Sequence, residues 1–238
     1  MCRAGASQTT ASPCNRACLD SLVEQVLQAM LAHNASRLPL AKGVRYSENG
    51  QFIALDDGLW GTAGKFAMPG SRDYAARFAD PASGTAAYWG ATNENGTMTL
   101  MRPPLPVEWK AASLGSLDSV FQSQKAETTH IPQTLRDLKF SPDCARRENA
   151  VPTNSGCAAQ RNGRDSRILV ADAERGVVLA VEMIDIPGTG SGSLPASQLV
   201  PGTYPQLSKI DGGSISRVES MVKWMSFGYT SVWTEPKK

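Results

Sequence analysis

Phe78-Ala79-Asp80-Pro81-Ala82-Ser83-Gly84, followed by the run Thr85-Ala86-Ala87-Tyr88-Trp89-Gly90-Ala91, has a counterpart further along the chain. Val170-Ala171-Asp172-Ala173-Glu174-Arg175-Gly176 precedes a second run, 177–183, at an offset of 92 (170 − 78). Each reads as an extended piece, a polar turn ending in glycine, and a strand. Two shorter blocks recur in the same order. Leu19-Asp20-Ser21 matches Leu117-Asp118-Ser119, and Glu48-Asn49 matches Glu148-Asn149, at offsets of 98 (117 − 19) and 100 (148 − 48). The chain therefore reads as two copies of a helix-then-sheet unit, an abbreviated one at 14–109 and a second at 110–238.

Upstream of the first block, Leu19, Leu22, Val23, Val26, Leu27, Met30 and Leu31 recur at spacings of three and four, which predicts an amphipathic helix over 17–33. Asn15 is placed to cap its start and Asn34 to take a left-handed turn at its end. Strands are expected at 44–48, 52–55, 85–91, 98–102, 168–171, 177–184 and 206–210, with a weaker helix at 117–125. Pro103, Pro104 and Pro106 stand where the first copy would have its final strand. The Gly, Ser and Pro content of 188–205 reads as a long loop. Ile215, Val218, Val222 and Met225 have helical spacing, so periodicity alone predicts a helix there.

The 238 residues carry 24 Lys and Arg against 22 Asp and Glu, a net charge of +2, with 41% hydrophobic and 19% charged residues. That balance excludes collagen-like, coiled-coil and highly charged disordered chains. Without a dense basic run there is no footprint for nucleic acid or an anionic membrane. No window approaches the roughly 18 consecutive apolar residues of a spanning helix. The partner expected is a small, largely apolar organic molecule, with a homodimer as the protein contact.

Cys2, Cys14, Cys18, Cys144 and Cys157 match no zinc spacing and leave disulfides or reduced thiols. Cys144 with Cys157 would close a short loop, Cys14 with Cys18 would need the first helical turn unwound, and pairs between the halves stay open. Asn34-Ala35-Ser36 and Asn95-Gly96-Thr97 are N-glycosylation acceptor triplets at an expected helix end and turn, which fits export. Residues 1–13 lack the apolar stretch of a signal peptide, so the expectation is a secreted protein whose leader is absent from this sequence.

Cys14-Asn15-Arg16-Ala17-Cys18-Leu19, Ala32-His33-Asn34, Val44-Arg45-Tyr46-Ser47-Glu48-Asn49-Gly50 and Gly58-Leu59-Trp60 resemble the start of a mostly uncharacterised, often secreted fungal and bacterial family. That family is similar to the SnoaL-like, nuclear transport factor two-like superfamily. Asp143-Cys144-Ala145-Arg146-Arg147-Glu148-Asn149, Gly156-Cys157, Asp172-Ala173-Glu174-Arg175-Gly176 and Glu182-Met183-Ile184-Asp185-Ile186-Pro187-Gly188 resemble its later segments. Ile215-Ser216-Arg217-Val218-Glu219, Ser226-Phe227-Gly228-Tyr229 and Trp233 resemble its closing strand, which replaces the helical reading of that segment. The resemblance implies an α+β fold, with helices packed on curved antiparallel sheets around a cone-like cavity, in two related units. It also implies a choice between cofactor-free isomerases, cyclases or dehydratases and proteins that only bind.

Glu182 interrupts the apolar run 177–184, where an ionised carboxylate is costly unless paired, so burial would tune it toward acid/base work. Tyr88 and Trp89 are strand neighbours that face opposite sides, so only one of them can line the pocket, Tyr88 as a donor to a developing oxyanion or Trp89 as an apolar wall. Arg102, at a strand end, could hold a carboxylate or enolate, and Trp60 could line the same space. His33 and His130 are the only histidines, and nucleotide-binding and serine-hydrolase motifs are missing, so neither a metal nor a cofactor is expected. The function expected is a cofactor-independent isomerase or cyclase with Glu182 as acid/base and Tyr88 or Arg102 polarising an oxygen. The rivals are a secreted binding protein without turnover and a dimerising interaction protein.

Overall fold

The structure is a computed structural model that describes residues 14–40, 44, 46–48, 51–66, 75–95, 97–101, 104–106, 138–148, 151–154, 156–157, 163–187, 199–221 and 223–224. It opens with α1, Arg16–Leu31, whose N-cap Asn15 accepts a hydrogen bond from the Cys18 amide at 3.0 Å. The left-handed residue beyond the helix is His33, with φ 50°, rather than Asn34, which instead caps the 3₁₀ turn Ala35–Arg37. Cys14 lies just before the N-cap, outside the regular turns, and there it bonds to Cys18 with the Cα atoms 5.4 Å apart. A small hairpin follows, β1 (Tyr46–Glu48) and β2 (Gln51–Ile53). Glu48 accepts from the Leu59 amide at 2.8 Å, holding the start of the short α2, Leu59–Thr62.

Two sheets account for most of the rest. The first contains β3 (Ala63–Phe66), β4 (Ala75–Asp80), β5 (Thr85–Glu94), β6 (Thr97–Met101) and β7 (Pro104–Pro106), with the long β5 pairing antiparallel to all four others. The segment after Arg102, read from its prolines as lacking a strand, supplies β7 at the sheet edge, where a missing amide donor costs no ladder bond. The second sheet contains β8 (Phe140–Glu148), β9 (Val151–Pro152), β10 (Gly163–Asp172), β11 (Val177–Pro187), β12 (Leu199–Asp211), β13 (Ser214–Ser220) and β14 (Lys223–Trp224). Its order is β10-β11-β12-β13-β8-β9, with β14 also pairing β12, and only β13 and β8 run parallel. Cys144 and Cys157 form a second disulfide that ties β8 to the segment after β9.

This architecture corrects the expected α+β cone. Among the described residues there are fourteen strands and two α-helices, and the molecule is predominantly β. The helix expected at 117–125 lies outside the described residues. Layering follows from side-chain alternation. Ala79, Ala86 and Tyr88 face α1 and pack with Leu19, Val23, Val26 and Met30. Phe78, Ala87 and Trp89 point the other way and pack against Leu169, Val170, Leu179 and Val181 of the second sheet.

The sheets meet through the two repeated hairpins. Asp80 pairs with Thr85 across one four-residue turn and Asp172 with Val177 across the other, and Gly84 and Gly176 take φ of 69° and 59° at the same turn position. Each aspartate bonds its own turn through Oδ1, to the Ala82 and Ser83 amides at 3.0 and 3.2 Å or to the Arg175 amide at 3.0 Å. Each then reaches across through Oδ2. Asp172 accepts from the Ala79 amide at 3.1 Å and Asp80 from the Ala171 amide at 3.4 Å. These donors lie on edge strands, which would otherwise present unpaired backbone. Arg16 completes the joint by donating to Asp172 and to the Ala79 carbonyl, and its Nε lies 2.6 Å from Glu174.

Asp172 is 1% exposed, and although burial disfavours its charge, the bonds from Arg16, Arg175 and Ala79 prevail and hold its carboxyl below 3.8. A depressed folded-state pKa contributes stability that is complete above the unfolded value and lost as pH falls through the folded one. Asp172→Asn is therefore expected to lower unfolding free energy at neutral pH by about 3 kcal/mol, the lower end for a broken buried ion pair because Arg16 is partly exposed. Urea denaturation at several pH values checks this, and the difference from wild type should shrink below pH 3.8.

Candidate functional site

Tyr88 and Trp60 are core residues beneath α1. The Tyr88 ring meets Phe66 edge-on at 6.0 Å, and Trp60 meets Tyr46 at 6.4 Å. Trp89 lies between the two sheets, so it and Tyr88 do face opposite sides of β5. Arg102 lies outside the described residues. Glu182 is half-buried on β11, paired in register with Tyr204 on β12. Its neighbours Val181 and Leu179 pack toward the first sheet, so Glu182 occupies the face turned away from it. Tyr88 and Glu182 are thus separated by the thickness of two sheets, and the structure does not bring them to one site.

The face that Glu182 shares with Tyr204 carries a different group. Arg146 on β8 donates to the Tyr204 hydroxyl, which donates to Ser220 Oγ on β13 at 2.6 Å, and Ser220 reaches the Arg147 carbonyl at 3.3 Å. Glu148, two residues along β8 on the same face, lies 3.4 Å from the Arg146 guanidinium. The Arg146 side chain is 2% exposed, and its Nε is buried without a hydrogen-bond partner among the described residues. Tyr204, Ser220, Val218 and Ile184 on this face are all buried. A guanidinium so enclosed, with a donor unused, is costly unless something accepts from it, and in chemical terms it is a ready partner for a carbonyl, enolate or carboxylate oxygen.

Strand alternation was the signal that could have found this group. Tyr204, Gln206 and Ser208 sit at every second position of β12, as Arg146 and Glu148 do on β8. The loop reading of 188–205 hid it, because Gly202, Pro201 and Pro205 argue against a strand. The Pro205 carbonyl accepts from the Met221 amide, away from β11, so the absent amide also points away from the β11 ladder.

On the opposite face Glu219 lies in the layer between the sheets. Burial pushes its carboxyl above 4.5, while the Trp89 indole and Arg147, its register partner on β8, pull it back. Trp89 Nε1 and Glu219 Oε1 are both buried, and the indole lies close enough to act on the carboxylate without full hydrogen-bond geometry among the described residues. Among the described residues no group of three or more His, Cys, Asp or Glu side chains is arranged to hold a metal ion.

Comparison with known proteins finds a similarity over part of the chain. Residues 130–222 match DUF8021, a domain of unknown function. The match covers less than half of the chain, and within it lie Arg146, Glu182, Tyr204 and Ser220. No curated protein matches. Among solved structures, AclR from Streptomyces galilaeus, a hydroxylase by assignment, is similar at 13% identity with a TM-score of 0.27 over 44% of this chain and 90% of its own. A likeness that slight carries neither fold nor chemistry.

A raised folded-state pKa acts in the opposite sense to that of Asp172. The penalty for ionised Glu219 is absent below 4.5 and complete above the folded value, so stability from this group rises as pH falls through that window. Glu219→Gln should flatten the dependence, gaining on wild type at neutral pH and losing that gain near pH 4.5, as read by thermal melts across pH.

Proposed function

We propose that the chain binds a small, largely apolar organic molecule at the Arg146–Tyr204–Ser220 face and shifts a proton on it, as a cofactor-independent isomerase or cyclase. The observation that carries the reading is the enclosed Arg146 guanidinium, with its unused Nε donor, linked through Tyr204 to the strand position beside Glu182. Arg146 takes the oxygen-polarising role first expected of Tyr88 or Arg102, and Glu182 removes and returns the proton. A carboxylate and an enclosed cation on one sheet face suit proton removal next to a carbonyl, because the charge that develops on oxygen meets a donor already in place. The sequence resemblance to SnoaL-like proteins supports this class of chemistry. The two disulfides support a protein that works outside the reducing cytosol. Among the described residues no helix is long and apolar enough to cross a membrane.

The test is a thermal-shift screen of small carbonyl-bearing polyketides and terpenoids with the full chain, followed by proton NMR of each stabilising ligand in deuterated water. Wild type is expected to exchange protons next to the ligand carbonyl, Glu182→Gln to slow that exchange by about 10²–10⁴-fold while still binding, and Arg146→Lys to weaken binding. A ligand bound without exchange, or exchanged equally by Glu182→Gln, overturns the catalytic reading and leaves a binding protein.

A further inference from the structure

Two exposed asparagines remain that the proton chemistry does not use, Asn34 and Asn95, each two residues before a hydroxyl side chain. Asn34 Oδ1 accepts from the Ser36 amide at 3.0 Å and from Ser36 Oγ at 2.6 Å. Both bonds fall on the amide oxygen and leave Nδ2, the atom that takes a sugar, outside them. Asn95 has φ 49° and directly follows β5, at the end where Glu94 pairs with Thr97 of β6. The asparagine is exposed at this strand end.

The two acceptors also share one end of the molecule. His33 Nδ1 lies 2.6 Å from the Trp60 carbonyl in α2, α2 runs into β3, and Ala63 of β3 pairs with Glu94, next to Asn95. The opposite end of β5, at Thr85, adjoins the Asp80 turn, about 30 Å away at the rise of a β-strand. Asn34 and Asn95 belong to the helix and first sheet, the layers turned away from Glu182 and Tyr204.

We infer that Asn34 and Asn95 carry N-linked glycans that cloak this one end, away from the joint between the sheets and from the Arg146 face. In the transfer, Nδ2 bonds to the anomeric carbon of a lipid-linked oligosaccharide diphosphate, the bond from that carbon to the diphosphate oxygen breaks, the diphosphate leaves, and Nδ2 gives up one proton. The Ser36 hydroxyl bond to Oδ1 is kept after transfer, so the glycan is compatible with the folded cap. The inference rests on the export part of the proposed function and not on its chemistry.

The test is secretion of the full chain, behind a heterologous secretion leader, from a eukaryotic host, with intact mass and peptide mapping before and after peptide N-glycosidase treatment in heavy-oxygen water. Heavy-oxygen labels are expected at both Asn34 and Asn95. Asn34→Gln and Asn95→Gln should each remove one glycan mass, and Ser36→Ala and Thr97→Ala should do the same with the asparagines intact. Secreted protein with both disulfides formed but either asparagine unmodified overturns the inference while leaving export standing. Protein retained in the cell with reduced cysteines overturns both.

Discussion

Two aspartates at matching turns each divide their carboxylate between their own hairpin and the edge strand of the other sheet. The packing of the sheets depends on this exchange. An edge strand carries backbone donors and acceptors that need partners, and in β4 the Ala79 amide and carbonyl are taken by Asp172 and Arg16. The Arg77 carbonyl accepts from Arg175 at 2.8 Å in the same way. Side chains from the second hairpin and from α1 therefore close an edge that would otherwise invite another strand. The two halves of the exchange differ in strength. The Asp172 bond is shorter, fully buried and reinforced by Arg16, while Asp80 is only partly buried and its bond to Ala171 is 3.4 Å long.

With the hairpins joined in this way, the layers decide which side chains can act together. Tyr88 is committed to the space under α1, Trp89 to the space between the sheets, and Glu182 to the remaining face. Only residues sharing the Glu182 face can assist it, and among the described residues these include Tyr204, Ser220, Arg146 and Glu148, drawn from three further strands. Putting a buried guanidinium there is energetically unfavourable by itself, which is why its partners and its unused donor matter more than its charge.

Much of the framework was legible in the residues because it is local. The helical spacing from Leu19 to Met30 gave α1 to within two residues at either end, and the offset of 92 marked the two hairpins that fold alike. The strand reading of 215–219, taken from resemblance over a helical spacing, matches β13. What escaped was nonlocal. Strand β8 has no apolar alternation to announce it, β12 starts inside a Gly- and Pro-rich stretch, and β13 pairs in parallel with a strand some seventy residues earlier. The expected cone failed for the same reason, since sheet order and layer number follow from pairings that no local pattern records. Glu182 stood out as a carboxylate in an apolar run, whereas Arg146 gave no local sign, because its burial is created by Tyr204 and Ser220 far along the chain.

Native-state hydrogen exchange at two amides probes the joint most directly. If the aspartate exchange holds the sheets together, the Ala79 and Ala171 amides exchange only on global unfolding in wild type, and Asp172→Asn lowers protection at both, although it removes a direct acceptor from Ala79 alone. Rapid exchange of Ala79 in wild type, or loss at Ala79 with Ala171 unchanged, would show that the sheets are held by the apolar layer between them and that the carboxylates merely decorate their edges.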